Sequence, residues 1–524
     1  MKNFHVTGTV VPEENYMVDI TNKLIQIKVM IDRKEYFSIN RGRQYGKTTT
    51  LERLDHFLKD EYLVIKISFE GFAMEEFENA RAFSQEFLQT IQDDLRSSGY
   101  DDEIVNSWKN DEVASFKSLG RHITSVCRKS EKPIVLMIDE VDKASNHFVF
   151  LDFLGKLREK YLARRNNKDF TFHSVILVGV YDVRNIKLKM IQEGIYNPGE
   201  KETTSQNSPW NIASDFEVNM SFSIEEISKM LEEYETDNKI GMSIVEIASE
   251  IYEFTSGYPV LVSRICKHID EKLDKNWTPE GVRRAVKLIL KEKSMLFDSL
   301  IKNLNANERL MLLMRSMVID KRKWSYNPDN ELIELGMRYG YFKEVESKVS
   351  IDNKIFEIRL TNYFLSLKEL EENLKRSQMM DNSGIVEKGI LNMEKCMRKF
   401  SEYFHKFYSD KDQNFIEREG RLLFLMFLSP ILNGNGFSYI EAQTPDGTQT
   451  DIIVNFLNQQ YIVELKIWDG IKKHEKAYDQ LLGYMAKFHQ LNGYLLTFNF
   501  NQKKELKHEW IEIDDKVKIL DVII

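Results

Sequence analysis

Two sets of residues in this chain have types and spacings that suit chemistry. The first is Gly46-Lys47-Thr48, preceded by Gly42, in F-S-I-N-R-G-R-Q-Y-G-K-T-T-T-L. Backbone N–H groups of a glycine-bearing loop that opens a helix can cradle phosphate oxygens. A lysine at this place reaches β- and γ-phosphates, and the following hydroxyl coordinates Mg²⁺. Gly42 and Gly46 have three residues between them where the usual pattern has four, and Arg41 stands where its first glycine is expected. The second set is Asp451, Glu464 and Lys466, in T-D-I-I-V-N-F and Y-I-V-E-L-K-I-W. Residues two apart on a strand share a face, so Glu464 and Lys466 point together. With a two-residue turn at Asn458-Gln459, Leu457 pairs with Gln460, and Asp451 then lies opposite Lys466 and diagonal to Glu464. Three ionisable groups on one face of an apolar hairpin are costly for a core and useful for binding a metal. Two carboxylates suit a hard cation such as Mg²⁺ or Mn²⁺. Such an ion acidifies a bound water and neutralises charge on a scissile phosphate.

Both sets need elements to position them. Lys132-Pro133 leads into I-V-L-M-I-D-E, an apolar run that ends in Asp139 and Glu140. It reads as a buried parallel strand with carboxylates at its C-terminal tip, where open α/β sheets bind ligands. Asp139 would hold Mg²⁺ and Glu140 would orient or deprotonate water. Further strands are expected at 62–69 and 172–180, and helices at 20–31, 47–58, 76–128 (broken near Ser97-Ser98-Gly99) and 147–164. This alternation predicts an α/β fold with a parallel, three-layered sheet. Asp182, Arg184 and Asn185 follow the strand at 172–180, and each is a candidate to sense a γ-phosphate. Tyr16, ahead of the first helix, is a candidate base contact or an ordinary packing residue.

The chain has 524 residues with a net charge of −9, 42% apolar and 30% charged residues, so several domains are expected and any nucleic-acid surface is a local patch. It has no apolar run long enough for a membrane span and no apolar signal core, which predicts a cytoplasmic protein. Cys127, Cys266 and Cys396 are too far apart in sequence to suggest a disulfide framework or a zinc site. A polar loop is expected over 196–216, then helices at 223–235, 243–255 and 259–273. Ser256-Gly257-Tyr258-Pro259 separates the last two, with Gly257 as a cap and Pro259 in a first helical turn. Arg264 lies on the second turn and is a candidate nucleotide contact. Residues 305–366 read as two helices and a two-stranded wing that includes I-F-E-I-R-L at 355–360. Residues 367–412 read as a charged helical connector.

The segments Y-F-S-I-N-R-G-R-Q-Y-G-K-T-T, I-V-L-M-I-D-E-V-D and S-G-Y-P-V-L-V resemble the AAA-like ATPases of the ASCE P-loop class, in the bacterial branch related to archaeal and STAND-type ATPases. The resemblance covers about residues 1–370. It implies ATP binding through Gly42, Gly46, Lys47, Thr48 and Thr49, with Asp139 and Glu140 as the Walker B pair. It also implies a helical lid carrying Gly257-Tyr258-Pro259 and Arg264, a winged helix that binds DNA or protein, and assembly into a homo-oligomer. Asp451 with Glu464-Leu465-Lys466 resembles the PD-(D/E)xK nuclease superfamily. That likeness adds Gln480 on the following helix and a glutamate on the preceding one, Glu419 or Glu417. Thr450 stands where the family name has proline.

The expected architecture is therefore a three-layer P-loop ATPase (1–218), a helical lid (219–298), a winged helix (299–370), a connector (371–412) and an α/β nuclease-like domain (413–524). The function it implies is nucleotide-controlled, metal-dependent cleavage of nucleic acid, DNA ahead of RNA, and the likeness points to bacterial defence. The competing reading is an ATP-dependent switch or scaffold whose nuclease-like domain only binds.

Overall fold

The computed structural model describes residues 2–180, 210–371, 384–387, 389–407, 417–432, 435–440, 452–457, 459–501, 506–514 and 516–524. They form two compact units. One comprises Met1–Ala248, Gly257–Lys267 and Leu335–Gly340, and the other comprises Ser249–Ser256, His268–Glu334 and Tyr341–Ile524. No helix among the described residues is long and apolar enough to cross a membrane.

The first unit is built on α1 (Thr21–Asp32), β1 (Tyr36–Asn40), α2 (Lys47–Leu58), β2 (Leu63–Ser68), α3 (Ala80–Ser97), α4 (Asp102–Ser107), α5 (Phe116–Lys129), β3 (Ile134–Asp139), α6 (Phe148–Arg165) and β4 (Ser174–Gly179). The four strands are parallel in the order β1-β4-β3-β2. Strand β3 is buried along its whole length, which accounts for its unbroken apolar run. One sheet face, with Tyr36, Ile65, Leu136 and Leu177, packs on Phe83, Phe87, Ile123, Phe153 and Leu157 from α3, α5 and α6. Residue Phe37 adds a parallel bridge to Ser214 on the other side of β1. Tyr16 is a packing residue: its ring meets Phe4 and Tyr234, and its hydroxyl donates to Asp237 Oδ2 at 2.9 Å.

Next along the chain come α7 (Ile224–Asn238), α8 (Ile244–Thr255), α9 (Pro259–Lys272), α10 (Pro279–Lys291), α11 (Met295–Ala306), α12 (Glu308–Val318), β5 (Trp324–Ser325), α13 (Glu331–Arg338), β6 (Phe342–Val345), β7 (Lys348–Ile351) and α14 (Lys354–Glu371). Strands β5, β7 and β6 form a small antiparallel sheet. The expectation of a wing strand at 355–360 is corrected. The hairpin is β6–β7, and 355–360 lies inside α14. Asn353 accepts a hydrogen bond from Phe356 N at 2.9 Å, a helix-start signal, and Ile355/Ile358 and Phe356/Leu360 have helical spacing.

The second unit ends in a six-stranded sheet. It contains β8 (Val386–Glu387), β9 (Ile390–Leu391), α15 (Met393–Phe407), α16 (Glu417–Leu432), β10 (Gly436–Tyr439), β11 (Ile452–Phe456), β12 (Gln459–Ile467), α17 (Ile471–Lys487), β13 (Asn492–Phe498), β14 (Lys507–Glu512) and β15 (Lys518–Ile523). The order is β10-β11-β12-β13-β15-β14, with β12, β13 and β15 parallel. In the stretch expected as a connector, α15 instead carries Phe400 and Phe404 into contact with Phe424, Phe427 and Phe498 of this same body. Strands β14 and β15 were not anticipated from the sequence, although K-I-L-D-V-I-I is an apolar run of strand length.

Gly257 has φ 73°, and an added Cβ would lie 1.9 Å from Phe222 O. Backbone cannot retreat that far without losing the Phe222 N–H bond to Gly257 O, 2.8 Å long. Gly257→Ala is therefore expected to cost roughly 3 kcal/mol or more. Urea unfolding of parent and variant checks this, and equal midpoints would contradict the packing described.

Candidate functional site

The phosphate-type loop begins where β1 ends. Gly46 adopts φ 76° as the N-terminal cap of α2, a conformation glycine takes without strain. Lys47 Nζ donates to Arg41 O at 2.9 Å and Gly42 O at 3.0 Å, which curls the loop around the ammonium. Thr48 Oγ1 donates to Asp139 Oδ2 at 2.8 Å. Asp139 is buried, and its other oxygen accepts from Glu140 N at 2.9 Å. Burial holds the Lys47 ammonium below the ordinary lysine value, against the pull of Asp142, Glu140 and Asp139. Partial desolvation of the Glu140 carboxyl, then the charge of Asp139, raises it above its ordinary value although the residue reaches solvent. A hydroxyl and a carboxylate beside a lysine suit a hard cation and a phosphate chain, so these residues fit a magnesium nucleotide.

The departure at Arg41 has a local explanation. Its backbone N–H donates to Gly179 O at 3.2 Å, continuing the β1–β4 ladder. Its guanidinium donates to Val218 O at 3.2 Å and lies over the Phe216 ring. The position that must be glycine is Gly42, where a Cβ would sit 2.3 Å from Tyr339 O. Thr49 is half-buried on the first turn of α2. Tyr258 OH donates to Arg43 O at 2.7 Å, and its ring meets Tyr45 edge-on at 4.5 Å. Pro259 Cβ is 3.9 Å from the place a Gly46 Cβ would take, so the start of α9 abuts the loop. Arg264 lies half-buried farther along that helix. Asp142 escaped the sequence reading: its Oδ2 accepts from Val180 N at 2.6 Å and its charge acts on Lys47. The D-E-V-D spacing was the available signal. Asp182, Arg184 and Asn185 lie outside the described residues.

In the second unit, β11 and β12 pair antiparallel, but the register differs from the expectation. Phe456 pairs with Gln459, so the ladder is shifted by two residues. A shift of two keeps every side chain on its expected face. Leu457 takes the turn with φ 49°. Glu464 is 0% exposed, and Lys466 Nζ lies 2.7 Å from its Oε1. Asp451 lies outside the described residues. Glu419 is half-buried on α16, one residue before Gly420, whose Cα abuts the Phe498 ring; the side chain of Glu417 is outside the described set. Gln480 is half-buried on α17, whose Ala477, Leu481 and Tyr484 pack on Ile462, Leu495 and Ile519. This is the face that carries Glu464 and Lys466. Among the described residues no group of three or more His, Cys, Asp or Glu side chains is placed to hold a metal. Glu464 supplies one carboxylate of the donor pair proposed from the sequence.

The same face carries a network that sequence reasoning missed. Asp521, fully buried on β15, accepts from Tyr478 OH at 2.7 Å and Lys507 Nζ at 3.0 Å, and lies 3.1 Å from His474 Nε2. Its row in the sheet is Glu464–Leu495–Asp521, and Thr497, which pairs with Lys466, lies 3.4 Å from His474 Nδ1. No sequence spacing links 474, 507 and 521, so only the three-dimensional pairing shows them.

Residues 26–365 match the family model of the AAA-like domain, and residues 436–509 match that of the PD-(D/E)XK nuclease superfamily. No curated protein sequence matches the chain. Among solved structures, the fold is similar to the Walker-type ATPase PABY2304 of Pyrococcus abyssi, at 12% identity and TM-score 0.48, over 68% of this chain and 99% of that one. It is also similar to the Aeropyrum pernix ORC2 protein in ADPNP–ADP complexes, at 12% identity and TM-score 0.34, over 70% and 97% of the two chains. The Thermotoga maritima RuvB Holliday junction branch migration motor aligns at 12% identity and TM-score 0.29, over 63% and 90%.

Burial pushes the Asp521 carboxyl up, but the hydrogen bonds from His474, Tyr478 and Lys507 more than reverse this and leave it below its ordinary value. A carboxyl lower in the folded than in the unfolded chain contributes stability that is complete at neutral pH and is lost as pH falls below about 4. Asp521→Asn should cost roughly 3 kcal/mol at pH 7, because it leaves Lys507 and His474 facing a neutral group. In urea unfolding across pH the gap to the parent should narrow under acid. A gap of the same size at pH 7 and under acid would show that the carboxylate charge is not what stabilises.

Proposed function

The chain belongs to the AAA-like domain family, and we propose that it is an ATP-binding and ATP-hydrolysing protein that controls a metal-dependent nuclease on its own C-terminal domain. The observation that carries this reading is the pairing of two built sites: Thr48 against Asp139 behind a lysine-closed loop, and buried Glu464 against Lys466 inside a PD-(D/E)XK match. In the first, Gly42 and Gly46 let the backbone approach a phosphate chain, Lys47 neutralises it, and Thr48 and Asp139 would hold Mg²⁺, with Thr49 beside them. Glu140, whose carboxyl is raised above its ordinary value by burial and then by the charge of Asp139, lies beside Asp139 and would take a proton from an attacking water. Arg264 on α9 is the proposed lid contact.

In the second site, Glu464 with Asp451 would hold Mg²⁺ or Mn²⁺, which would supply a water of lowered pKa and charge neutralisation at the phosphate. Lys466 neutralises the developing charge, and Gln480 and Glu419 orient water and substrate. The substrate class is nucleic acid, DNA ahead of RNA. The winged-helix-like segment at 299–370 would supply a nucleic-acid or protein contact, and assembly would run through copies of the ATPase module. A cytoplasmic role in bacterial defence suits an activity that must be restrained. The complete burial of Glu464 also suits the second reading, a switch or scaffold in which the Glu464–Lys466 pair is structural.

Lys47→Ala should weaken Mg·ATP binding about tenfold or more by calorimetry, since it removes a charged donor to phosphate. Glu140→Gln should keep ATP and lose hydrolysis. Lys466→Ala should abolish cleavage of DNA in Mg²⁺ or Mn²⁺ and leave ATP affinity unchanged. A parent that cleaves no nucleic acid under any nucleotide and binds no divalent cation in the second unit would leave the scaffold reading.

A further inference from the structure

Beyond the Glu464–Lys466 pair, β12 runs on into Trp468. The Trp468 N–H donates to Phe498 O at 2.9 Å, so the residue is still pinned to β13 although it lies past the strand's end. Residues two apart share a face, which sets Trp468 beside Lys466. Its ring lies 5.0 Å from the imidazole of His474. His474 is in turn fixed between fully buried Asp521, 3.1 Å away, and Thr497, so this wall is rigid. Gly470, at φ 92°, then turns the chain into α17. The result is a pocket of about 490 Å³ lined by Lys466, Ile467, Trp468, Asp469, Lys473 and His474. That volume is in the range that takes a nucleotide-sized group. Lys473 is paired to Asp469, and Trp468 and His474 give the pocket an aromatic wall.

We propose that this pocket holds one unpaired nucleobase, stacked on Trp468, of the nucleotide next to the phosphate bound at Lys466. The inference rests on the reading of Glu464 and Lys466 as the nuclease site and deepens it by naming the substrate as single-stranded nucleic acid or a frayed duplex end. Stacking needs a free base face, and a base inside a duplex has both faces covered. It is tolerant of sequence because every base has a π-face. Asp521 and Thr497 are positioning residues, which set the wall through His474.

The test is binding of a fluorescein-labelled single-stranded oligodeoxynucleotide to the full chain in EDTA, where no cleavage competes. Trp468→Ala should weaken binding about tenfold, and Trp468→Phe should keep most of the affinity. An abasic residue scanned along the oligonucleotide should weaken parent binding about tenfold at one position and cost the Trp468→Ala variant nothing further there. Equal abasic losses in parent and variant at every position, tighter binding of blunt duplex, or no binding by the parent would overturn the proposal. The abasic scan on the parent reads the site even if Trp468→Ala fails to fold. If the stacking pattern holds while Lys466→Ala still cleaves, the nuclease assignment fails and the base pocket stands.

Discussion

The Thr48–Asp139 hydrogen bond, 2.8 Å long, is the constraint on which the first unit depends. Asp139 ends β3 and Thr48 lies on the first turn of α2, the helix after β1, and these strands are not neighbours because β4 lies between them. The bond therefore forms only if β4 holds both strands in register, from Tyr36↔Val175 on one side and Val135↔Ser174 on the other. The end of β4 is fixed in the same way. A side chain at Gly179 would meet Val141 Cγ2 at 2.9 Å, and Asp142 binds the next backbone N–H. The buried apolar rows of all three strands give the sheet little freedom to slip, since a shift of one residue would turn each row to the wrong layer. A short polar contact at the sheet's edge is thus the product of a large apolar core.

The second unit solves a harder electrostatic problem. Glu464 and Asp521 are both fully inaccessible, and they lie in one row of the sheet with Leu495 between them. A buried carboxylate is tolerated only when donors and cations meet it. Lys466 meets the first, and Lys507, Tyr478 and His474 meet the second. Two carboxylates so close in the sheet keep separate partners, so a change at one leaves the other's cation in place. That separation suits a face where one carboxylate serves a reaction and the other sets the shape of a neighbouring wall.

How much of this was legible in the sequence follows from the range of the interactions. The loop with Lys47 and Thr48 and the strand tip with Asp139 and Glu140 were legible because a loop, a strand and a helix start leave local patterns, and the parallel direction of the strands, though not their order, follows from their alternation. The hairpin of β11 and β12 was found as well, but its register was read two residues out. The position of the turn, which sets register, depends on Leu457 accepting φ 49°, a conformation its type does not advertise. Residues 355–360 were taken for a strand because Phe356, Ile358 and Leu360 alternate with Glu357 and Arg359, although the same six residues also fit a helical period. The Asn353 cap was the local sign that decides it. Asp521 left no sign, because it meets His474 and Tyr478, themselves four residues apart on α17, only once β15 has joined β13.

Coupling between the two proposed activities has a covalent route in the chain's own path. The chain passes from one compact unit to the other at 248–249, 256–257, 267–268, 334–335 and 340–341. Residues contributed to the first unit by these returns touch the phosphate-type loop, alongside Asp139, Gly179 and Val218. Tyr258 bonds Arg43 O, Pro259 abuts Gly46, Tyr339 O closes on Gly42, and Gly340 packs beneath Tyr45 and Tyr258. Any rearrangement of the loop around a nucleotide must displace or tighten these contacts. Gly340 is followed within two residues by β6, and Pro259 opens the helix that continues into the second unit as His268. A ligand shifts an equilibrium only through its different affinity for two states. Here the parts of the loop that would feel that difference are tied by backbone to elements of the unit that holds Glu464 and Lys466.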